Sequence, residues 1–316
     1  MKSVGKAQAI MREVKKVIVG KDACVEMIMT AILAGGHILI EDIPGVGKTT
    51  MALAFAKAMH LKQNRIQFTP DVLPSDITGF SLYNKATDSF HYQPGAVMCN
   101  LLLADEINRT SPKTQSALLE VMEEGNVTVD GVTREVPTPF IVIATENPIG
   151  SAGTQMLPES QLDRFMVCIS IGYPKPEDEI NIIRSRREQN PLETVMPALE
   201  EGELMQMQNE VTAVYIHDDV YYYIANLALA TRECDMLELG ISPRGSMALS
   251  RMAQARAYLK GRDFVIPEDV SAVFTNTAVH RVQAGAKAKL NRKSEEDILR
   301  QLLEQVPKPS PEKGAL

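Results

Sequence analysis

Between residues 37 and 172 short apolar runs alternate with amphipathic stretches. The runs at 37–40, 66–68, 101–104, 140–144 and 166–171 have about the length of buried strands. The stretches 49–60 and 113–124 place Ala, Leu and Met at helical spacing. Such alternation predicts a mostly parallel sheet covered on both faces, an α/β domain over residues 1–173. Tyr173-Pro174-Lys175-Pro176 then breaks the pattern. Beyond it strand-like runs largely vanish, and helical periodicity predicts helices over 177–189, 203–211, 218–231, 243–260, 267–282 and 294–305, an all-helical second domain spanning 174–306. Residues 307–316 hold three prolines, two lysines and a glycine, so a disordered tail is expected there.

Two segments stand outside this scheme. After a helical piece at 71–77, Phe80-Ser81-Leu82-Tyr83 and Phe90-His91-Tyr92 flank a polar stretch, which predicts a hairpin within 80–92. A second hairpin is expected over 127–136, where Asp130-Gly131 supplies the positive φ angles of a tight turn.

Composition narrows the function classes. Of 316 residues, 33 are Lys or Arg and 40 are Asp or Glu, a net charge of −7, so no global basic field draws the chain onto nucleic acid or anionic lipid. The longest mostly apolar stretch, 31–43, is interrupted by Gly35, Gly36, His37, Glu41 and Asp42 and is too short to span a bilayer. Lys2, Lys6, Arg12, Glu13, Lys15 and Lys16 precede no apolar run of the secretory type, and a cytoplasmic location is expected. Cys24, Cys99, Cys168 and Cys234 have no paired spacing, and the five histidines have no ligand spacing, so neither disulfides nor a metal cluster is expected.

The chemistry concentrates behind the apolar runs. Residues 38–40 lead into Glu41-Asp42-Ile43-Pro44-Gly45-Val46-Gly47-Lys48-Thr49-Thr50 and then a helix, the setting of a phosphate-binding loop. Gly45 and Gly47 let backbone N–H groups approach a polyphosphate, and the helix N-terminus adds a favourable field. Lys48 is expected to reach the β and γ phosphates, and Thr49 to offer its hydroxyl to Mg²⁺. Asp42 stands where the general pattern has its first glycine. The run 101–104 delivers Asp105-Glu106 to a neighbouring strand end, Asp105 to hold Mg²⁺ through water and Glu106 to polarise the attacking water. Asn147, just past 140–144, is placed to meet the γ-phosphate and that water. Arg164 in Leu162-Asp163-Arg164-Phe165 and Arg244 in Ser242-Pro243-Arg244 are candidate cationic sensors, the second aimed by a Ser-Pro helix start. The segment 148–162 is long enough to carry Arg164 away from its own phosphate loop.

In order, Val19-Gly20-Lys21, the loop 45–49, Ala104-Asp105-Glu106-Ile107-Asn108-Arg109, Pro112-Lys113-Thr114-Gln115, Thr145-Glu146-Asn147-Pro148, Leu157-Pro158-Glu159, Leu162-Asp163-Arg164-Phe165 and Ser242-Pro243-Arg244 resemble the MoxR family of AAA+ ATPases over nearly the whole chain. The resemblance implies a parallel-sheet P-loop core with a C-terminal helical lid. It implies ATP and Mg²⁺ as ligands, Val19 and Gly20 beside the nucleotide, and Pro44, Gly45, Val46, Gly47, Lys48, Thr49 and Thr50 as Walker A. Asp105 and Glu106 then form Walker B, Asn147 is sensor 1, Arg164 the arginine finger and Arg244 sensor 2, of its own or a neighbour's nucleotide. Lys21 departs from the glutamine common in related proteins. The family's members are ring-forming, commonly hexameric, with hairpins facing the pore and partners that often carry a von Willebrand factor A domain; the implied work is chaperone-like remodelling, maturation or activation of protein clients. Two other readings share these motifs: a motor on nucleic acid, opposed by the acidic charge and by hairpins whose main basic candidates are Lys85, His91 and Arg134, and a nucleotide-gated scaffold without turnover, opposed by Glu106, Asn147 and Arg164.

Overall fold

The computed structural model describes residues 3–43, 45–146, 157–188 and 190–309. The order of elements is α1 (Val4–Lys15), α2 (Asp22–Leu33), β1 (Ile38–Glu41), α3 (Lys48–Ala58), β2 (Gln63–Gln67), α4 (Pro74–Thr78), β3 (Gly79–Asn84), β4 (Ser89–Pro94), β5 (Leu101–Asp105), α5 (Pro112–Glu124), β6 (Asn126–Val129), β7 (Val132–Glu135), β8 (Ile141–Glu146), α6 (Glu159–Leu162) and β9 (Val167–Ile169). There follow α7 (Pro176–Glu188), α8 (Glu203–Thr212), α9 (Asp218–Glu233), β10 (Leu237–Leu239), α10 (Pro243–Leu259), α11 (Pro267–Ala278), β11 (Gln283–Ala284), α12 (Ala286–Leu290) and α13 (Glu295–Gln305).

The five-stranded sheet has the order β2-β5-β8-β1-β9, and all its pairings are parallel. The interior strands are buried along almost their whole length, as a sheet covered on both faces requires. Parallel pairing puts every strand's carboxyl end on one edge, so the segments leaving β1, β5 and β8 gather there. This is the α/β architecture expected from the alternating runs. Strand β2 differs from its expected position at 66–68: it is the polar Gln63–Gln67, an edge strand paired within this sheet to β5, where alternate side chains meet water. Likewise the helical piece at 71–77 is shorter and later, Pro74–Thr78, begun by its proline.

Two N-terminal helices were not anticipated. In α1 the residues Ala7, Ile10 and Val14 lie on one buried face, and α2 is buried from Ile28 to Leu33. Both predicted hairpins form: β3 pairs with β4 and β6 with β7, and Asp130 and Gly131 take φ values of 52° and 75° at the second turn. The hairpins touch each other, with the Arg134 guanidinium 4.1 Å from the centre of the Tyr92 ring.

Among the described residues after 174 the elements are helices apart from a two-stranded β10–β11 sheet and an isolated bridge between Tyr215 and Phe264, and α11 stops at Ala278 instead of running to 282 because a short 3₁₀ turn follows. A continuous apolar cluster joins β1, α2 and α3 to Met207, Leu249, Met252 and Phe274 of the later helices. Before α8 the chain returns across α3, with Ala198 N donating to Ala58 O at 2.8 Å. Among the described residues no helix is long and apolar enough to cross a membrane. Most of the tail expected to be disordered, 310–316, lies outside the described residues.

Candidate nucleotide site

The loop between β1 and α3 is shaped by its glycines. Gly45 and Gly47 have φ values of 88° and 96°, the left-handed region that a side chain would strain, and a Cβ built on either would meet nothing within 4 Å. The open space above the loop is therefore reserved by backbone conformation, not by crowding. Gly47 leads directly into α3, whose N-terminal N–H groups face that space. Lys48 is buried at the start of α3, and its Nζ donates to Asp42 O at 2.5 Å and Glu146 O at 3.3 Å. Burial pulls its pKa below the ordinary lysine value, while Asp42, Asp105, Glu106 and Glu41 pull the other way. Pro44 and the expected sensor Asn147 lie outside the described residues.

Strand β5 brings the acidic pair to the same edge. Thr49 Oγ1 is 3.4 Å from Asp105 Oδ2, so a hydroxyl and a carboxylate meet beside the loop. Asp105 also accepts from Arg65 Nε at 2.8 Å and from Thr145 Oγ1 at 3.2 Å. Glu106 sits in the left-handed region at φ 57°, uncommon for a glutamate, with its backbone N donating to Thr145 Oγ1 at 2.9 Å and its carboxylate accepting from Arg109 at 2.7 Å. Arg65, Arg109 and Thr145 were not foreseen as part of this cluster. Arg109 stands three residues after Glu106, a local signal; Arg65 and Thr145 depend on β2 and β8 flanking β5, which the sequence does not reveal. Glu146 joins the group because it lies opposite Glu41 in the β1–β8 register, and burial, with the Glu41 charge adding, pushes its carboxyl up to about 7.

A cavity of about 730 Å³ opens over this loop. It is bounded by Val17, Ile18, Val19 and Lys21 ahead of α2, by Gly45, Val46, Gly47, Thr50 and Leu53, and by Tyr173, Pro174, α7 and residues 190–192. That volume lies within the range of small-molecule sites, roughly 300–1,000 Å³. Gly20, at φ 72°, turns the chain between Val19 and Lys21, and Lys21 Nζ donates to Tyr173 O at 2.8 Å. In the glutamine-common position Lys21 thus ties α2 to the segment leaving β9. The donors fit a nucleotide with Mg²⁺: apolar walls at one end, backbone N–H groups and Lys48 at the other, and hard oxygen ligands in Thr49 and Asp105.

Arg164 and Arg244 are not beside this loop. They meet at Glu123 near the end of α5, Arg164 Nε at 3.0 Å from Oε2 and Arg244 against Oε1. Asp163, next to Arg164, accepts from Arg281 and Ser242. The arginines line a second cavity of about 280 Å³ together with Gly35, Gly36 and His37, residues that precede β1. The loop follows β1, so the arginines and the loop lie at opposite ends of the strand, separated by on the order of 10 Å or more. Ser242 caps α10 as expected, its Oγ accepting from Gly245 N at 3.1 Å, and this fixes the direction of Arg244. Glu123, which gathers both arginines, carries no sequence signal of its own.

Residues 37–167 match the family described as the ATPase family associated with various cellular activities, and residues 229–302 match the AAA lid domain. Protein YeaC of Bacillus subtilis, described as uncharacterized, is 46% identical over 97% of this chain and 95% of its own length. Chaperone MoxR1 of Mycobacterium tuberculosis is 39% identical over 94% of this chain and 81% of its own. A crystal structure from Cytophaga hutchinsonii, of a protein named as a candidate ATPase, superimposes with a TM-score of 0.90 at 36% identity, covering 98% of this chain and 96% of that one. With a parallel nucleotide-loop sheet, a helical lid and these relatives, the chain belongs to the MoxR family of AAA+ ATPases and is an ATP-hydrolysing enzyme.

Proposed function

We propose that the chain assembles into a ring, commonly a hexamer, and uses ATP turnover for chaperone-like remodelling, maturation or activation of protein clients in the cytoplasm. The observation that carries this reading is the separation of two half-sites: the loop, Lys48, Thr49 and Asp105 at the carboxyl edge of the sheet, and Arg164 with Arg244 at the other. A complete site then needs two copies, with the arginines of one subunit facing the loop of the next, as heterologous contacts around a closed ring allow. The chaperone name of the Mycobacterium tuberculosis relative supports a protein client. By family resemblance the partners include proteins with a von Willebrand factor A domain. The α/β core is taken to run to residue 173 and the lid over 174–306.

In this reading residues 44–50 hold the polyphosphate as Walker A, with Val19 and Gly20 on the base side. Thr49, and Asp105 through water, would hold Mg²⁺, which would supply positive charge to neutralise the polyphosphate. Glu106 and Asn147 orient the attacking water, with Glu106 as the polarising carboxylate. Arg164, supplied in trans, stabilises charge on the transferring phosphoryl group, an effect worth roughly 10³ to 10⁵ in rate for such arginines; Arg244, beside it, acts from the same side. Arg134, folded against Tyr92 and its own turn, is engaged within the hairpins, which favours a protein client over nucleic acid.

Two substitutions test the division of labour. Lys48→Ala removes charge that serves the ground state, and ATP titration should show weakened binding. Glu106→Gln should bind ATP normally yet release little phosphate. Wild-type turnover in Glu106→Gln contradicts the catalytic assignment.

A further inference from the structure

Asp42 replaces the first glycine of the general phosphate-loop pattern, and its carboxylate is spent away from the loop's open face. It is 6% exposed. Ile43 N donates to Oδ1 at 2.8 Å. Ser170 Oγ at 3.1 Å, Ile171 N at 2.6 Å and Gly172 N at 2.6 Å all donate to Oδ2. Gly172 has φ 66°, a left-handed turn that helps aim two successive N–H groups at one oxygen, the geometry of a backbone anion nest. The backbone of Asp42 is equally committed: its N–H donates to Glu146 O at 3.2 Å and its carbonyl accepts from Lys48 Nζ. One residue therefore joins the loop, the end of β8, Lys48 and the chain leaving β9. That chain continues into Tyr173 and Pro174, which wall the large cavity, and into α7. Lys21 holds the same segment from the α2 side through Tyr173 O.

A glycine at this position would offer Ser170, Ile171 and Gly172 no side-chain acceptor. We propose that Asp42 is a positioning residue that fixes the phosphate loop to residues 170–172, so that a polyphosphate settling on the loop is felt by the segment leading into the helical region. The proposal rests on the nucleotide reading above. It assigns no chemistry to the carboxylate, which accepts hydrogen bonds from three backbone amides and a hydroxyl.

The test uses the full chain with Asp42→Gly, which restores the general pattern, and Asp42→Asn. Steady-state ATPase kinetics are measured beside hydrogen exchange of the peptide spanning 170–173 with and without saturating ADP. Asp42→Gly should raise KM for ATP about tenfold or more, the scale of losing charge-assisted hydrogen bonds, with kcat at saturation lowered less than about threefold. In the wild type ADP should slow exchange at Ile171 and Gly172; in Asp42→Gly it should not. A KM within about twofold of wild type, or ADP protection of 170–173 equal to wild type, overturns the proposal, because a purely structural role would leave the nucleotide response intact. If Asp42→Gly does not fold, Asp42→Asn decides: it keeps one acceptor oxygen but presents a donor to another donor, so a smaller shift in the same direction is expected, and unchanged KM and protection overturn the proposal. A wild-type chain that binds neither ADP nor ATP overturns the nucleotide reading itself, a separate failure.

Discussion

Arg281 offers a quantitative test of how the region around Arg164 is held. Its side chain is 2% exposed and lies between the helical region and the segment carrying Arg164. Nε donates to Asp163 Oδ1 at 2.7 Å, Nη1 to Met166 O at 3.1 Å and to Thr277 O, and Nη2 to Phe165 O at 2.5 Å and Asp163 O at 3.3 Å. Replacing it by methionine fills much of the volume but leaves Asp163 without its cationic partner, with the Ser242 hydroxyl still donating to it, and takes the Arg281 donors from several carbonyls. Breaking a buried pair from one side costs roughly 3–5 kcal/mol, of the same order as a large fraction of a domain's stability. At about 2–4 °C per kcal/mol for chains of 150–250 residues, and somewhat less for this longer one, the unfolding midpoint should fall by roughly 5–15 °C. The exposed pair Arg300–Glu296 is the control: Arg300→Ala should change stability by less than about 0.5 kcal/mol. Thermal and denaturant unfolding of both variants measures the contrast. Arg281→Met within about 1 kcal/mol of wild type would refute the reasoning that this arginine carries the join.

Glu146 gives a pH dependence of known sign. Its folded carboxyl holds a proton up to about pH 7, above its ordinary value of 4.5, so its contribution is full below about 4.5 and is lost as pH rises through about 7. Glu146→Gln should flatten that slope and stabilise the nucleotide-free chain at pH 8 by roughly 2–3 kcal/mol; an unchanged slope between pH 5 and 8 argues against it. Gly95 has the Ile77 carbonyl oxygen 2.2 Å and Gly79 N 2.3 Å from where a Cβ would stand, both backbone atoms. Gly95→Ala should therefore cost about 1–3 kcal/mol by loosening the base of the β3–β4 hairpin, and unaltered unfolding midpoints would contradict that.

How much of this was legible depended on distance along the chain. The strand, glycine loop and helix around Lys48 were readable because each is a local pattern, and so was the Asp130-Gly131 turn. Asp105 was placed at a strand end by its apolar run alone. Arg65 and Thr145, which hold Asp105, were not readable, because they meet it only through the order β2-β5-β8. Edge strand β2 was misplaced because its pattern is polar, and α1 because Ala7, Ile10 and Val14 are thinly spread among charged residues. The meeting of Arg164, just after α6, and Arg244 of α10 on Glu123 of α5 joins three segments far apart in the chain. The role of Asp42 showed in the sequence only as a departure from a pattern, and its partners 128 to 130 residues away gave it meaning.

The central claim, a site completed by two subunits, is tested most directly by mixing two inactive variants. Arg164→Ala keeps its loop and lacks the arginine; Lys48→Ala keeps the arginine and lacks a working loop. Each alone should turn over little ATP, with Arg164→Ala still binding it. In an equal mixture that co-assembles at random, about a quarter of the interfaces join an intact arginine to an intact loop, and phosphate release should recover toward about a quarter of wild type. Full activity of Arg164→Ala alone, or no recovery in mixtures shown to co-assemble, would contradict the account.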